Sequence, residues 1–242
     1  MEKYYLFIFL AFISEIIGTV SGFGSSILFV PIAALFFDFK SVLGLTAVFH
    51  VFSNLSKIAL FRKGIDRKIA LKLGIPAILF VTLGAYITTF LPTKQIELVM
   101  SILLLILSVY LIIYYNKPVK QTDTNLYVGG ITSGLMAGIA GTGGAIRGIT
   151  LGAFQLPKDV FIATSALIDL GVDASRAIVY INNGYFRKEY IVLIPFLIII
   201  SLLGSYIGKL ILKNTSEIIF RYIVLAVIVV TAILQIINYI NS

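Results

Sequence analysis

The sequence predicts an all-α fold, a polytopic transmembrane helical bundle. Of its 242 residues 59% are hydrophobic and 12% are charged, whereas a soluble domain has about 45–50% apolar and about 25% charged residues. A helix needs about 20 apolar residues to cross the hydrocarbon core of a bilayer. Apolar runs of about that length or more occupy 4–37, 42–61, 69–91, 97–115, 126–153, 160–181, 190–212 and 218–240. The connections are too short for a separate soluble domain, and the first run, too long for a signal peptide, is expected to be mature structure.

The eight runs fall into two similar sets of four. A shift of about 119 residues places Gly22-Phe23-Gly24 on Gly141-Thr142-Gly143, Ser56-Lys57 on Ser175-Arg176 and Pro76 on Pro195. The sequence therefore predicts two homologous four-segment repeats, residues 1–118 and 126–242. Duplicated membrane folds commonly hold a solute site near the midplane, where the repeats meet.

The first segment of each repeat is predicted to be broken. As one helix, the run 4–37 would be about 51 Å long at 1.5 Å per residue, well over the core thickness of about 30 Å. Irregular backbone at membrane depth is tolerated where it lines a cavity, and the helix that starts after it directs N–H groups at an anion. The alternative is that the spaced glycines only let helices pack closely. We expect the two breaks to bind substrate through Gly22, Gly24, Ser25, Ser26, Gly141, Thr142, Gly143 and Gly144.

Two polar stripes follow the breaks. His50, Asn54 and Lys57 share one helix face, and the repeat shift places Asp169, Asp173 and Arg176 at the same positions. Lys57 and Arg176 are expected either to bind substrate or to extend to the membrane surface. Asp173 and Arg176 are spaced to form an ion pair.

A single arginine follows the second break. The guanidinium of Arg147 suits an oxyanion, or it pairs with Glu15, Asp169 or Asp173 to hold helices together. Ionisable groups inside the membrane are functional candidates. Glu15, His50, Asp169 and Asp173 are accordingly candidates for a proton relay, with a structural role as the alternative for each.

Basic residues predict the orientation. They crowd the connections that contain Arg67 and Lys68, Lys117 and Lys120, and Arg187 and Lys188, which the positive-inside rule places in the cytoplasm. If each repeat crosses the membrane an even number of times, both basic loops lie on the same side. We therefore expect a multi-pass protein of the cell membrane with eight spans and both termini cytoplasmic.

The glycine motifs resemble those of the TauE/SafE sulfite exporter family of membrane permeases. The resemblance covers essentially the whole chain. Its motifs here are Gly22-Phe23-Gly24-Ser25-Ser26 with Pro31 following, and Gly141-Thr142-Gly143-Gly144-Ala145 with Thr150 in place of the proline. It implies a transporter of small sulfur-containing oxyanions such as sulfite or organosulfonates, usually acting outward and coupled to the proton gradient. The differences between the motifs leave the substrate open.

Other functions are less compatible with the residues. The chain has no cysteine, no HExxH motif and no G-x-S-x-G elbow, so we expect no enzyme, no cofactor and no metal. Its basic residues are scattered, which argues against nucleic acid. The expected partners are a small anion and the lipid bilayer, and the sequence allows a homo-oligomer. An anion channel and a non-transporting scaffold remain the alternatives.

Overall fold

The computed structural model describes residues 2–22, 24–61, 64–114 and 120–214, together with 216, 233 and 237. The eighth apolar run, 218–240, lies almost entirely outside these residues. The described elements are α1 (Glu2–Ser21), α2 (Ser26–Ala34), α3 (Phe39–Leu60), α4 (Arg67–Ile87), α5 (Thr93–Tyr114), α6 (Asp123–Ala140), α7 (Gly144–Gly152), α8 (Lys158–Asn182), a 3-10 helix (Lys188–Leu193) and α9 (Ile194–Asn214).

The bundle has an apolar exterior and buries polar side chains among its apolar core residues. Among the described residues, large apolar side chains are exposed along α4 and α9, as at Leu79 and Leu202, while serines, threonines and both acidic and basic residues are buried. Segments long and apolar enough to cross a membrane occur at Tyr4–Ser21, Phe39–Leu60, Arg67–Ile87 and Lys188–Asn214. This distribution confirms the predicted helical membrane protein.

The first broken segment folds back on itself. Gly18, near the end of α1, lies against the Ser25 backbone: a Cβ added to Gly18 would lie 2.4 Å from the Cα of Ser25. Twelve residues later the Phe37 ring lies 4.9 Å from that of Phe7 and 6.3 Å from that of Tyr4, centroid to centroid. The chain after the break therefore returns to the face at which α1 begins. We call the α1–α2 unit the first hairpin.

The second broken segment folds back in the same way. A Cβ at Gly129 in α6 would lie 2.4 Å from the Thr150 hydroxyl oxygen in α7. Gln121, just before α6, donates a hydrogen bond of 2.8 Å to the carbonyl oxygen of Ala153, just after α7. Both ends of this second hairpin, α6–α7, therefore lie at one face.

Helices α3 and α8 run in opposite directions. Asp38, which caps the start of α3, forms an ion pair of 3.2 Å with Arg187, which lies just beyond the end of α8. The Asp66 N–H, beyond the end of α3, donates to the Thr164 hydroxyl near the start of α8 at 2.9 Å. We call the face where α3 begins the first face and the opposite one the second face. The first hairpin enters from the first face.

The second hairpin enters from the second face. Lys72, one turn into α4, pairs with Asp123 at the start of α6, and α4 begins at the second face. The Lys72 ammonium, through this hydrogen bond, holds the pKa of the exposed Asp123 carboxyl below its usual range. The two hairpins therefore reach the centre of the bundle from opposite sides.

This arrangement corrects the predicted orientation. Arg67 and Lys68 lie at the second face, whereas Arg187 and Lys188 lie at the first, next to Asp38. The placement of both basic loops on one side is wrong because each broken segment folds back without crossing. In the first half three helices, α3, α4 and α5, then cross the membrane, and three is an odd number.

Glycines allow α4 and α6 to pack closely and in parallel. A Cβ on any of three glycines of α6 would come within 2.3–2.4 Å of a carbonyl oxygen of α4, and real side chains do not tolerate that distance. The close-packing interpretation is therefore confirmed for these spaced glycines. The facing pairs are Gly130 and Leu73, Gly134 and Ala77, and Gly138 and Val81.

Candidate substrate-binding site

The hairpin tips and the middles of α3 and α8 enclose a central cavity. The space between the surrounding atoms, part of it open to solvent, is about 290 Å³. The residues around it are almost all buried. They are Gly24, Ser25, Ser26, His50, Asn54, Lys57, Ala137, Gly143, Arg147, Asp169, Val172, Asp173 and Arg176.

Glycine backbone makes both hairpin tips. Gly22, Gly24 and Gly141 have φ values of +67°, +84° and +74°, a region that residues with a Cβ rarely adopt. Gly143 has no room for a side chain, since a Cβ would lie 2.1 Å from the Ser133 carbonyl oxygen. The breaks thus occur where the sequence predicted them.

The two tips touch each other. The hydroxyl oxygens of Ser26 and Thr142 are 3.5 Å apart. Ser26 is the first residue of α2, and Gly143 immediately precedes α7; both line the cavity. The N-termini of two short helices therefore meet at one site. Gly144, also a predicted site residue, begins α7 but is not part of the cavity lining.

Arg147 is held at the cavity by one carboxylate. Its side chain is 3% exposed and forms an ion pair with Asp169 through Nη2. Its Nε and Nη1 atoms are buried and have no hydrogen-bond partner among the described residues. Asp169 also accepts a hydrogen bond of 3.3 Å from the Ser165 hydroxyl. The sequence left open whether Arg147 binds a ligand or pairs with a carboxylate, and here it pairs while keeping two donor nitrogens free.

Arg176 joins α8 to the tip of the second hairpin. Its Nε donates to Asp173 at 2.8 Å, and its Nη1 donates to the carbonyl oxygens of Ala137 and Gly141 at 3.0 and 2.7 Å. These carbonyls lie at the C-terminus of α6, where a cation is favourable. Asn54 donates to the other Asp173 oxygen at 2.7 Å. Arg176 is thus buried in the bundle and does not extend to the surface.

Glu15 and Lys57 form a second buried ion pair, on the side of the first hairpin. Lys57 Nζ lies 3.0 Å from Glu15 Oε1, and both side chains are buried. The Glu15 carboxylate also accepts hydrogen bonds from the hydroxyls of Ser25, Ser53 and Ser205, at 2.7, 2.7 and 2.8 Å. The pair therefore fastens α1 to α3 and α9.

His50 contacts Ser25 without activating it. The His50 Nε2 and Ser25 Oγ atoms are 2.8 Å apart, but the Ser25 proton is directed to Glu15. A nucleophilic serine needs the reverse order, with the hydroxyl donating to the imidazole and the carboxylate behind it. In this arrangement His50 Nε2 donates, and its Nδ1 is an acceptor with no partner among the described residues. The contact supports a structural or binding role.

A smaller cavity of about 210 Å³ adjoins the first and shares Gly24, Asn54, Lys57 and Asp169 with it. Gly22, another predicted site residue, lines this second cavity together with Ser165. Most of the predicted site residues therefore line one of two adjoining spaces, with Lys57 and Asp169 at the boundary. The predicted residues that line neither are Glu15, Gly141, Thr142 and Gly144.

Sequence reasoning missed the hydroxyls that surround Glu15. Ser53 lies one turn before Lys57, and Ser205 lies in α9, far along the chain. Serines are frequent in membrane helices and often bond to their own backbone, so composition alone does not identify them. The i, i+4 spacing of Ser53 and Lys57 was the one available signal.

An apolar exterior, two re-entrant hairpins and a charged central cavity define a membrane transporter. Residues 6–234 match the sulfite exporter TauE/SafE family, and the chain belongs to that family. It is 26% identical over 233 residues to a probable membrane transporter protein of Methanocaldococcus jannaschii, an alignment that covers 88% of this chain and 86% of the relative. No solved structure matches the chain.

Proposed function

We propose that this chain exports small sulfur-containing oxyanions, sulfite or organosulfonates, across the cell membrane in a proton-coupled cycle. The family description names sulfite export, and the archaeal relative is described only as a probable membrane transporter. One observation carries the proposal. Two donor nitrogens of Arg147, which have no partner among the described residues, are buried beside a cavity that the N-termini of α2 and α7 also line.

An oxyanion matches these donors chemically. Guanidinium N–H groups bind oxyanions with short, charge-assisted hydrogen bonds, and the N-terminus of a helix adds partial positive charge. A buried donor without a partner costs about 1–3 kcal/mol, so a ligand that accepts from Nε and Nη1 recovers this free energy. Gly24, Ser25, Ser26 and Gly143 would complete the contacts.

The two predicted repeats, 1–118 and 126–242, support an alternating-access cycle. Each has a hairpin followed by long helices, and Asn54 and Asp173, which the repeat shift makes equivalent, are hydrogen-bonded to each other at 2.7 Å. A site on the boundary between two inverted units can open to either face when one unit rocks against the other.

The test is a flux assay in proteoliposomes with sulfite, sulfate, thiosulfate, taurine and small sulfonates, with and without a pH gradient. Arg147→Lys keeps the charge that pairs with Asp169 but loses the two free donors. Each charged hydrogen bond contributes about 1.5–3 kcal/mol, so the substrate KM should rise by at least about tenfold. Arg67→Lys, an exposed site on α4, is the matched control and should leave KM unchanged.

Three outcomes would contradict the proposal in different ways. An unchanged KM in Arg147→Lys would remove Arg147 from the site. Flux that does not saturate and follows only the anion gradient would make the chain a channel. Folded protein that moves none of the anions would be a scaffold or a transporter of another solute class.

A further inference from the structure

The buried charges of the central site are balanced. The buried basic residues among those described are Lys57, Arg147 and Arg176, and the buried acidic residues are Glu15, Asp169 and Asp173. Each cation is paired with one carboxylate. With a neutral histidine, the empty site carries no net charge. The empty site therefore has no net positive charge that would attract an anion.

An anion that enters this site alone leaves one buried charge without compensation. Uncompensated charge in a low-dielectric interior is strongly unfavourable, and such groups usually change protonation instead. A proton bound by one of the three carboxylates restores the balance. Anion binding and proton binding at this site are therefore linked by charge.

Of the three buried carboxylates, Asp169 is the one whose negative charge is least stabilised by its neighbours. Glu15 is paired with Lys57 and accepts from three serine hydroxyls. Asp173 is bound by Arg176 and Asn54. Asp169 has Arg147, the group to which an anion would bind, and one long hydrogen bond of 3.3 Å from Ser165.

The surrounding charges favour the same choice. Several titratable and charged groups face Asp169. Those that line the cavity are Arg147 from α7, His50 and Lys57 from α3, and Asp173 and Arg176 from α8 itself. Glu15 from α1 lies behind Lys57. No α4 residue lines the cavity. Lys57, Arg147 and Arg176 line the same cavity as His50, so their positive charges oppose a positive imidazolium there. An anion on Arg147, in contrast, repels the Asp169 carboxylate directly.

We infer that Asp169 carries one proton with each monovalent anion bound at Arg147, so that both the loaded and the empty site cross the membrane without net charge. The inference rests on the proposed function and assigns its coupling group: proton and anion move in the same direction, so net export requires an outward gradient of the anion that exceeds any inward gradient of the proton. When the anion binds at Nε and Nη1 of Arg147, a proton from the water on the loading side forms an O–H bond with a carboxylate oxygen of Asp169. That bond breaks when the anion leaves on the other side, and the proton passes to the water there.

The first test uses the wild-type protein alone. Proteoliposomes are given methanesulfonate, which stays a monoanion over the accessible pH range, and sulfite, and the charge moved per sulfur atom is measured from the current and the flux. The expected charge is zero for methanesulfonate and for sulfite carried as its monoanion, and a proton gradient directed into the vesicles should drive accumulation. One charge per sulfur atom in the wild type would overturn the inference.

The second test removes the proton acceptor. Asp169→Asn leaves Arg147 unpaired, so the empty site carries one positive charge and the loaded site none. One negative charge should then accompany each sulfur atom, and accumulation driven by the pH gradient should be lost. Asp159→Asn, an exposed carboxylate of the same helix, and His50→Gln should both keep the charge at zero. A zero charge in Asp169→Asn, or loss of coupling in His50→Gln, would overturn the assignment.

Infrared difference spectra identify the protonated group without removing charge. Addition of the transported anion should produce the carbonyl band of a protonated carboxyl group. The band should shift in Asp169→Glu and stay in place in Asp173→Glu, and the reverse result would assign the proton to Asp173. Absence of all anion flux in the wild type, by contrast, would contradict the proposed function itself.

Discussion

The Glu15–Lys57 ion pair should be a main source of stability for the first hairpin. At 3.0 Å, and with an effective dielectric constant of about 20, the attraction between the two charges is about 5–6 kcal/mol. Removing one partner of a buried pair typically costs about 3–5 kcal/mol, because the other charge stays buried. Three serine hydroxyls still support Glu15 in Lys57→Met, so we expect a cost of about 3 kcal/mol.

A double-mutant cycle separates the pair from its surroundings. Glu15→Gln alone leaves the Lys57 ammonium buried and should also cost about 3 kcal/mol. The double variant removes both charges and keeps a side chain that accepts from the serines. Its cost should therefore be smaller than the sum of the single costs by about 2–3 kcal/mol, the upper range for coupled residues.

The assay is equilibrium unfolding of the purified protein in mixed detergent micelles, followed by circular dichroism. Lys72→Met is the matched control, because the Lys72–Asp123 pair is exposed, at 24% and 55% of its side chains. Exposed pairs contribute about 0–1 kcal/mol. If Lys57→Met costs no more than this control, or if the Glu15 and Lys57 costs are additive, the pair does not fasten the hairpin.

Two further predictions concern topology and packing. The chain has no cysteine, so Lys68→Cys and Lys188→Cys each introduce one thiol. A membrane-impermeant reagent added to oriented vesicles should label only one of the two variants. Labelling of both from one side would refute the inverted arrangement. Gly134→Ala should destabilise the fold by about 1–3 kcal/mol, since its Cβ would lie 2.3 Å from a carbonyl oxygen of α4, whereas Gly152→Ala, with open space around it, should cost little in the same unfolding assay.

The sequence was sufficient for the local features of this fold. Glycine clusters are typical of a break or a close contact, so the positions of both hairpin tips could be predicted from the residues alone. The spacing of His50, Asn54 and Lys57 likewise placed them on one face of α3. These features depend on neighbours in the sequence, which patterns of composition and period report directly.

The direction of the chain after each break could not be predicted in this way. A nine-residue helix that continues across the membrane and one that folds back have the same composition. The choice depends on distant contacts, such as Phe7 with Phe37 and Gly129 with Thr150. The positive-inside rule placed both basic loops on one side and so favoured an even number of crossings per repeat, which was wrong because the broken segments fold back. The partner of Arg147 was also open, since the spacing of residues along the chain does not distinguish Glu15, Asp169 and Asp173.

The two halves fasten their hairpins by different means. Lys57 binds the first hairpin through Glu15. Arg176, its equivalent, binds backbone carbonyls of the second hairpin, and the ion pair between that hairpin and α8 is the one of Arg147 with Asp169. On the proposed function, an anion that binds Arg147 weakens this ion pair and leaves the Glu15–Lys57 pair intact. We therefore expect the second hairpin, rather than the first, to change position when substrate binds.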